Sequence, residues 1–266
     1  MCGASSVMKR SAYGNILEIS SFAGKILLES GAEIYRVEQT VRYLCSAYGL
    51  DHCECFATPT AIMISVIGKS GEVHSVVRRI TKRSVNLRKV ELINDFSRKI
   101  GKESTSFDDI KERLVQIDQF PSYPLPFMVL TAAVGTAAFT IVFGGGILDF
   151  LWGLLSGAMI HLLVTWLSAH GPDSFFTNIA GGGACALLGW LFTMTGLGGD
   201  WWIVTISALM LLVPGMLMTN ALRDLAAGDF LSGLSRGAEA FCIAVALAGG
   251  AAFVFFVVLY LGGGIS

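Results

Sequence analysis

Hydrophobic positions recur at helical spacing within the first fifty residues. From Gly14 to Ser30 the apolar side chains fall on one face of a 3.6-residue repeat, and the same spacing returns from Ile34 to Tyr48. Gly49 follows the second run, where a helix commonly ends. The pattern predicts two amphipathic helices.

The next segment, CECFATPTAIMISVIGKSGEVHSVV, is rich in β-forming residues on both sides of the turn Gly68–Gly71. This arrangement predicts a β-hairpin. Two charged amphipathic helices are predicted beyond it, from Asn86 to Lys102 and from Ser106 to Phe120. Ser106 is a plausible N-cap three residues before Asp109.

Polarity changes after the proline-rich linker at residues 121–126. Five apolar stretches follow, each close to the roughly 20 residues that a helix needs to cross a bilayer. They lie at about 127–146, 147–168, 175–196, 201–220 and 237–262. We therefore expect a polytopic α-helical membrane protein, with an N-terminal soluble α+β domain at 1–120 and a transmembrane domain at 127–266.

Composition agrees with this division. The chain has a mean hydropathy of +0.64, yet residues 1–120 hold 17 of the 19 Lys and Arg residues and 14 of the 20 Asp and Glu residues. The first part carries a net charge of +3 and the second a net charge of −4. This balance of charge excludes a nucleic-acid-binding protein. We expect the second part to lie in the lipid bilayer.

The six cysteines are scattered between the polar and apolar parts, which indicates reduced thiols rather than a disulfide framework. His52, Cys53 and Cys55 lie close together, and the two thiols fall on one face of a strand. A second pair of ligands at zinc spacing is absent from the sequence. We expect no metal site and no cofactor.

The distribution of basic residues predicts an orientation. The N-terminus has no apolar run of signal-peptide length. Among the connections between apolar stretches, only residues 221–236 contain arginine, at Arg223 and Arg236. By the positive-inside rule, this connection and the N-terminal domain are cytoplasmic in a multi-pass inner-membrane protein.

The fourth apolar stretch contains Pro214–Gly215, which removes a backbone donor and loosens the helix. Asn220 and Asp224 then share a helical face, with Arg223 alongside. These groups could hold an anionic or zwitterionic solute while a carboxylate exchanges protons. They could equally pair with one another and fix the loop. Three more charged residues follow: Asp229, Arg236 and Glu239.

Two features of the apolar stretches concern packing and titration. Small residues at i, i+4 spacing predict close helix contacts. His161 lies deep in the second stretch, where a titratable group must face protein or water. It is either a proton relay or a hydrogen-bonded structural histidine. The small residues are Gly153 and Gly157, then Gly181, Cys185, Gly189 and Thr193.

Two stretches carry a resemblance to a known family. ESGAEIYRVEQTVRYLCSAYGL with ATPTAIMIS, and VPGMLMTNALRDLAAGDFLSGLSRGAEA, resemble the threonine/serine exporter family over essentially the whole chain. The chain is similar to split members, in which a cytoplasmic domain and five transmembrane helices work with a separate smaller membrane protein. The resemblance implies export of threonine and serine, or of a dicarboxylate such as succinate, coupled to the proton gradient.

The resemblance also implies functional positions in three motifs. Their roles are hypotheses, with Arg223 and Asn220 binding carboxylate and Asp224, Asp229 or Glu239 handling protons. The first two motifs hold Glu33, Arg36 and Glu38, then Thr58, Pro59 and Thr60; the third holds Pro214, Gly215, Asn220, Arg223, Asp224, Asp229, Arg236 and Glu239.

Three classes of function can be weighed. An exporter subunit, completed by a partner or by a homo-oligomer, is the leading hypothesis. The alternative is a non-transporting membrane adaptor or sensor whose cytoplasmic domain binds a ligand or a partner. An enzyme is not expected, because the sequence has no Walker A loop, no G-x-S-x-G and no H-E-x-x-H.

Overall fold

The computed structural model describes residues 12–50, 52–68, 71–100, 106–121, 123–171, 173–196 and 199–262 of the 266-residue chain. The polypeptide divides into two compact units. An N-terminal unit comprises Met1–Ser122 with Thr219–Gly237, and a membrane unit comprises Tyr123–Met218 with Ala238–Ser266.

The N-terminal unit combines helices with a small sheet, as the sequence predicted. Its three strands form an antiparallel sheet in the order β1-β2-β3. The elements from residue 12 to residue 118 are α1 (Ala12–Glu29), α2 (Ile34–Ala47), β1 (Cys53–Thr58), β2 (Ala61–Ile67), β3 (Val73–Arg79), α3 (Leu87–Ile100) and α4 (Phe107–Asp118).

The predicted hairpin corresponds to β2 and β3, which pair from Ala61 to Ile67. Lys69 and Ser70 at its tip lie outside the described residues. The extended run before it divides into two strands, because the chain turns between Thr58 and Ala61. The Thr58 hydroxyl oxygen accepts the Ala61 amide at 3.1 Å and so supports this turn.

One hydrophobic core holds the N-terminal unit together. Alternate residues of β2 face inward, and Ile62, Ile64 and Val66 are almost completely buried. The apolar stripes of α1 and α2 pack on the same core, with Leu27 and Leu44 fully buried. Burial of each such side chain contributes about 1.5–3 kcal/mol, so the predicted amphipathic faces supply most of the stability.

Local signals in the sequence set the helix ends. Gly49 adopts a φ of 75° just after α2, a conformation that L side chains rarely adopt. Ser106 caps α4, and its hydroxyl accepts the Asp109 amide at 3.2 Å, as predicted. Both boundaries therefore follow from residue chemistry.

The remaining helices include the membrane-crossing segments. Four described helices are long and apolar enough to cross a bilayer, and a bent pair makes a fifth if it counts as one span. The protein is therefore a multi-pass membrane protein. The helices are α5 (Leu125–Val142), α6 (Ile147–Ala169), α7 (Ser174–Met194), α8 (Trp201–Met210), α9 (Gly215–Ala226) and α10 (Phe230–Gly262).

The predicted fourth span, 201–220, is not one straight helix. It ends at Met210 and begins again at Gly215, and α8 and α9 meet at an angle of 56°. Pro214 has no N–H to donate to the Met210 carbonyl, so the regular bonding pattern cannot continue. The Leu212 amide instead reaches Leu209 at 2.9 Å, in the tighter i→i−3 pattern.

Small residues create close helix contacts in the membrane unit, as the spacing predicted. A Cβ on Gly153 would lie 2.9 Å from the Ala137 Cα, so α5 and α6 approach almost backbone to backbone. A Cβ on Gly182 would collide with the Leu247 carbonyl, and one on Gly250 with the Ile179 carbonyl. Glycines thus also allow α7 and α10 to approach backbone to backbone.

Candidate functional site

A tight turn between α1 and α2 is the centre of the candidate site. Gly31 has a φ of 82°, and the Gly31 and Ala32 amides bond back to the Leu28 and Leu27 carbonyls at 3.2 and 3.0 Å. This arrangement ends α1 in the manner of a Schellman motif. The Gly31 and Ala32 carbonyls stay available as acceptors.

Two side chains from the third motif donate to this turn. The Asn220 side-chain amide donates to the Gly31 carbonyl at 3.0 Å, and the Arg236 guanidinium donates to the Ala32 carbonyl at 2.8 Å. Both donors belong to the Thr219–Gly237 segment of the N-terminal unit. Residues about 200 positions apart in the chain thus share one polar cluster.

A buried ion pair lies inside this cluster. Arg236 Nη1 is 3.1 Å from Asp224 Oδ2, and the two side chains retain 5% and 1% of their exposure. Asn220, one turn before Asp224 on α9, is also buried. The face that the sequence predicted for Asn220 and Asp224 therefore points into the protein and carries a compensated charge.

The connection between α9 and α10 brings the two partners of this ion pair together. Gly228 has a φ of 92°, and the Asp229 amide donates to the Asp224 carbonyl at 2.9 Å. A turn at Gly228–Asp229 therefore joins the two helices. Gly233, early in α10, has no room for a Cβ beside Leu225, so the two helices meet closely after the turn.

Glu33 links the first motif to the third. Its side chain is mostly buried and lies at the N-terminal end of α2, where a helix favours negative charge. One carboxylate oxygen is 3.3 Å from Arg36 Nε, and the other pairs with Arg223. The Arg223 side chain is half exposed, so its charge still faces solvent.

Glu38 joins the first motif to the second. Its Oε1 accepts the Ala57 amide at 3.0 Å, and its Oε2 lies 2.7 Å from the Arg42 guanidinium. Burial raises the pKa of the Glu38 carboxyl, although the Ala57 amide and Arg42 act in the opposite direction. The carboxylate fixes α2 to β1 beside the turn at Pro59.

The predicted site residues therefore separate between the two units. Pro214 and Gly215 form the helix break of the membrane unit, and Glu239 lies on α10 in that unit. His161 is also there, and its buried Nε2 has no hydrogen-bond partner among the residues that the structure describes. The N-terminal unit holds Glu33, Arg36, Glu38, Thr58, Pro59, Thr60, Asn220, Arg223, Asp224, Asp229 and Arg236.

The sequence analysis missed Asp149. This buried carboxylate accepts the Gly146 amide at 2.7 Å and the Asp200 amide at 2.9 Å, and so ties two loops of the membrane unit together. An acidic residue near the start of an apolar stretch was the available signal. Its partners could not be found from local spacing.

The thiols of β1 serve the core. Cys53 and Cys55 lie on the same face of the strand, as predicted, and pack against buried hydrophobic residues. Burial raises the pKa of the Cys55 thiol to about 12, which keeps it protonated and a poor ligand. Among the described residues, no three His, Cys, Asp or Glu side chains are placed to hold a metal ion.

The long apolar helices define a multi-pass membrane protein, and one of its spans is broken at Pro214. The family described as ThrE, "Putative threonine/serine exporter", matches residues 18–258. The chain belongs to this threonine/serine exporter family.

Individual relatives carry two kinds of name. A Klebsiella aerogenes protein named "Probable succinate transporter subunit YjjP" is 27% identical over 83% of this chain and 85% of its own. A Mycobacterium tuberculosis protein named "Probable threonine/serine exporter" is 22% identical over 85% of this chain and 43% of its own. The Corynebacterium glutamicum protein named "Threonine/serine exporter" is 27% identical over 65% of this chain and 36% of its own. This chain thus spans less than half of these two exporters. No solved structure matches it.

Proposed function

We propose that this chain is a subunit of a secondary exporter of small carboxylate-bearing metabolites, either threonine and serine or a dicarboxylate such as succinate, coupled to the proton gradient. Family membership and the names of its relatives support the transported class. The proton gradient is the natural energy source for a transporter whose sequence lacks a Walker A loop.

The observation that carries the proposal is the helix break at Pro214. An apolar helix stops at Met210 and resumes at Gly215 with a 56° bend. Unbonded backbone groups at membrane depth are tolerated where they are buried in protein or line a water-filled cavity. Transporters place such discontinuous helices beside the solute.

The half-exposed Arg223 is the side chain best suited to receive a solute carboxylate. Its present partner is one oxygen of the Glu33 carboxylate, and a guanidinium can bind both oxygens of a solute carboxylate. After such an exchange the Glu33 carboxylate would keep its ion pair with Arg36. Asn220 would assist binding, and Asp224, Asp229, Glu239 or His161 would handle protons.

The proposal includes a location and a partner. The N-terminal unit lies in the cytoplasm and the membrane unit in the inner membrane, in agreement with the basic residues Arg223 and Arg236. A second, smaller membrane subunit or a homo-oligomer completes the pathway. The name "subunit" carried by the Klebsiella relative, which this chain matches over 85% of its length, favours a partner chain.

Efflux from proteoliposomes tests the proposal. Vesicles loaded with labelled threonine, serine or succinate would contain this chain alone or with a candidate membrane partner, under an imposed proton gradient. We expect gradient-dependent efflux that needs the partner. Efflux from the chain alone would indicate a homo-oligomer. No efflux in either case would reject the proposal.

A second candidate function is a membrane adaptor or sensor that does not transport. It is favoured by the internal bonding of the third motif, because Asn220 and Arg236 donate to the turn at Gly31 and Ala32. Arg223→Ala and Asp224→Asn would then leave substrate accumulation in cells unchanged. Changes in the N-terminal unit would still alter the cellular response.

A further inference from the structure

A groove lies between α2 and α3 in the N-terminal unit. Its volume is about 340 Å³, which is near the lower end of the range for small-molecule sites. An adjoining hollow shares Arg36, Asn94 and Arg98 with it. The side chains that matter most for recognition are Tyr35, Arg36, Gln39, Tyr43, Asn94 and Arg98.

The charge of the groove is positive. Arg36 comes from α2 and Arg98 from α3, and none of the described residues that line this cavity is a carboxylate. The adjoining hollow adds two acids, Glu91 and Asp95. Glu91 is compensated by Arg88 at 2.6 Å. The groove therefore offers the Arg98 guanidinium to an anion, together with Arg36, whose Nε pairs with Glu33.

Several donors in the groove have no protein partner. Among the described residues, the Arg98 guanidinium has no ion pair or side-chain hydrogen bond, and the side chains of Asn94 and Tyr43 have none either. Ser97 and Thr40 also line the groove, but their hydroxyls donate to carbonyls of their own helices at 2.8 Å. A cation, an amide and a phenol thus remain available to a ligand.

We propose that this groove is a binding site for a small organic dianion, with Arg36 and Arg98 on either side of its charged groups and Asn94 and Tyr43 bonded to its oxygens. Guanidinium forks match both carboxylate and phosphate oxygens. The two tyrosines of α2 line the groove and supply apolar surface for a short carbon skeleton. A dicarboxylate and a phosphate monoester share the required chemistry.

Arg36 connects this groove to the candidate site. Its Nε lies 3.3 Å from Glu33 Oε2, and the other oxygen of Glu33 pairs with Arg223. A dianion that draws Arg36 into the groove leaves the Glu33 carboxylate to Arg223 alone. Binding in the groove would therefore change the ion pairs of the polar cluster within the same unit.

The site does not depend on transport and is tested separately from it. The full chain in detergent would be titrated with succinate, glycerol phosphate or the zwitterion threonine, with hydrogen exchange followed by mass spectrometry. We expect either dianion to protect peptides that contain residues 35–43 and 94–98, with little effect of threonine. Protection by only one of the two dianions identifies the group that is recognised.

Two variants make the test specific. Arg98→Gln is expected to weaken dianion binding about tenfold or more. Lys99→Gln removes the same charge from the neighbouring position, which does not line the groove, and should leave binding almost unchanged. Equal losses in the two variants, or no dianion-dependent protection of these peptides, would overturn the proposal whatever the efflux assay gives.

Discussion

Arg236 and Asp224 face each other across the turn between α9 and α10, with 3.1 Å between Nη1 and Oδ2 and almost no exposure of either side chain. The same guanidinium donates to the Ala32 carbonyl at 2.8 Å. One arginine therefore holds the turn after α1 and compensates a buried carboxylate. Loss of either function is costly.

We expect Asp224→Ala and Arg236→Ala each to lower the free energy of unfolding by about 3–5 kcal/mol, because each leaves one buried charge uncompensated. Thermal unfolding in detergent measures the loss. The double variant should lose clearly less than the sum of the two single variants. Additive losses would show that the two side chains do not interact.

Arg223→Gln should change stability by less than about 1 kcal/mol, because the Arg223–Glu33 pair is partly exposed and screened by solvent. Under the proposed function it nevertheless abolishes most efflux from proteoliposomes. Arg42→Gln, which breaks another exposed pair, is the matched control and should retain efflux. Equal efflux in the two variants would remove Arg223 from the solute pathway.

Asp149→Ala should destabilise the membrane unit by about 3 kcal/mol, since two backbone amides lose a charged acceptor. Asp173→Ala provides the comparison. Asp173 is exposed at the N-cap of α7 but makes no side-chain capping bond, so its replacement should cost less than about 0.5 kcal/mol. Similar unfolding temperatures for the two variants would contradict this role of Asp149.

Gly157→Ala should also destabilise the membrane unit, by about 1–3 kcal/mol. The new Cβ would lie 2.7 Å from the Ala132 carbonyl oxygen, where α5 and α6 meet. Gly135→Ala adds the same methyl group to α5 in open space and is expected to be neutral or slightly stabilising. If both variants melt like the wild type, this helix contact is looser than described.

The Glu38 carboxyl should make the free energy of unfolding depend on pH. Because burial raises its folded-state pKa above the ordinary value of 4.5, protonation favours the folded state. This contribution is complete below the unfolded pKa and is lost as the pH rises through the folded pKa. As the pH falls from about 7 to about 4, the wild type should therefore become more stable relative to Glu38→Gln.

Hydrogen exchange of the amides in β1 and β2, corrected for the intrinsic effect of pH, measures this difference within the full chain. Asp95→Asn is the control, because Asp95 is an exposed acid of α3 that is not among the groups that shift the Glu38 pKa. A difference between wild type and Glu38→Gln that stays constant with pH would contradict the assignment.

Local patterns predicted most of the fold. The apolar stripe from Ile34 to Tyr48, the cap at Ser106 and the break at Pro214 each depend on neighbours within a few residues. The extra turn between Thr58 and Ala61 was harder to predict, because the surrounding β-forming residues read as one long run. Its stabilising hydrogen bond involves a side chain and a backbone amide that no periodicity reveals.

The candidate site was predicted only in part, because periodicity does not reveal contacts between distant residues. Helical spacing placed Asn220 and Asp224 on one face, but it could not show that this face meets the turn at Gly31. The resemblance gathered Glu33 and Arg223 as motif residues without indicating that they pair. Contacts between residues so distant in the chain depend on the folded path of the whole polypeptide.

The paired glycines of α7 and α10 restrict how the membrane unit can move. Gly182 and Gly250 let each helix press its backbone against a carbonyl of the other. A twist of either helix by one residue would carry a side chain into a gap that has no space for it. The contact therefore fixes the register of α7 against α10. If the membrane unit rearranges, we expect these two helices to move together as one rigid body.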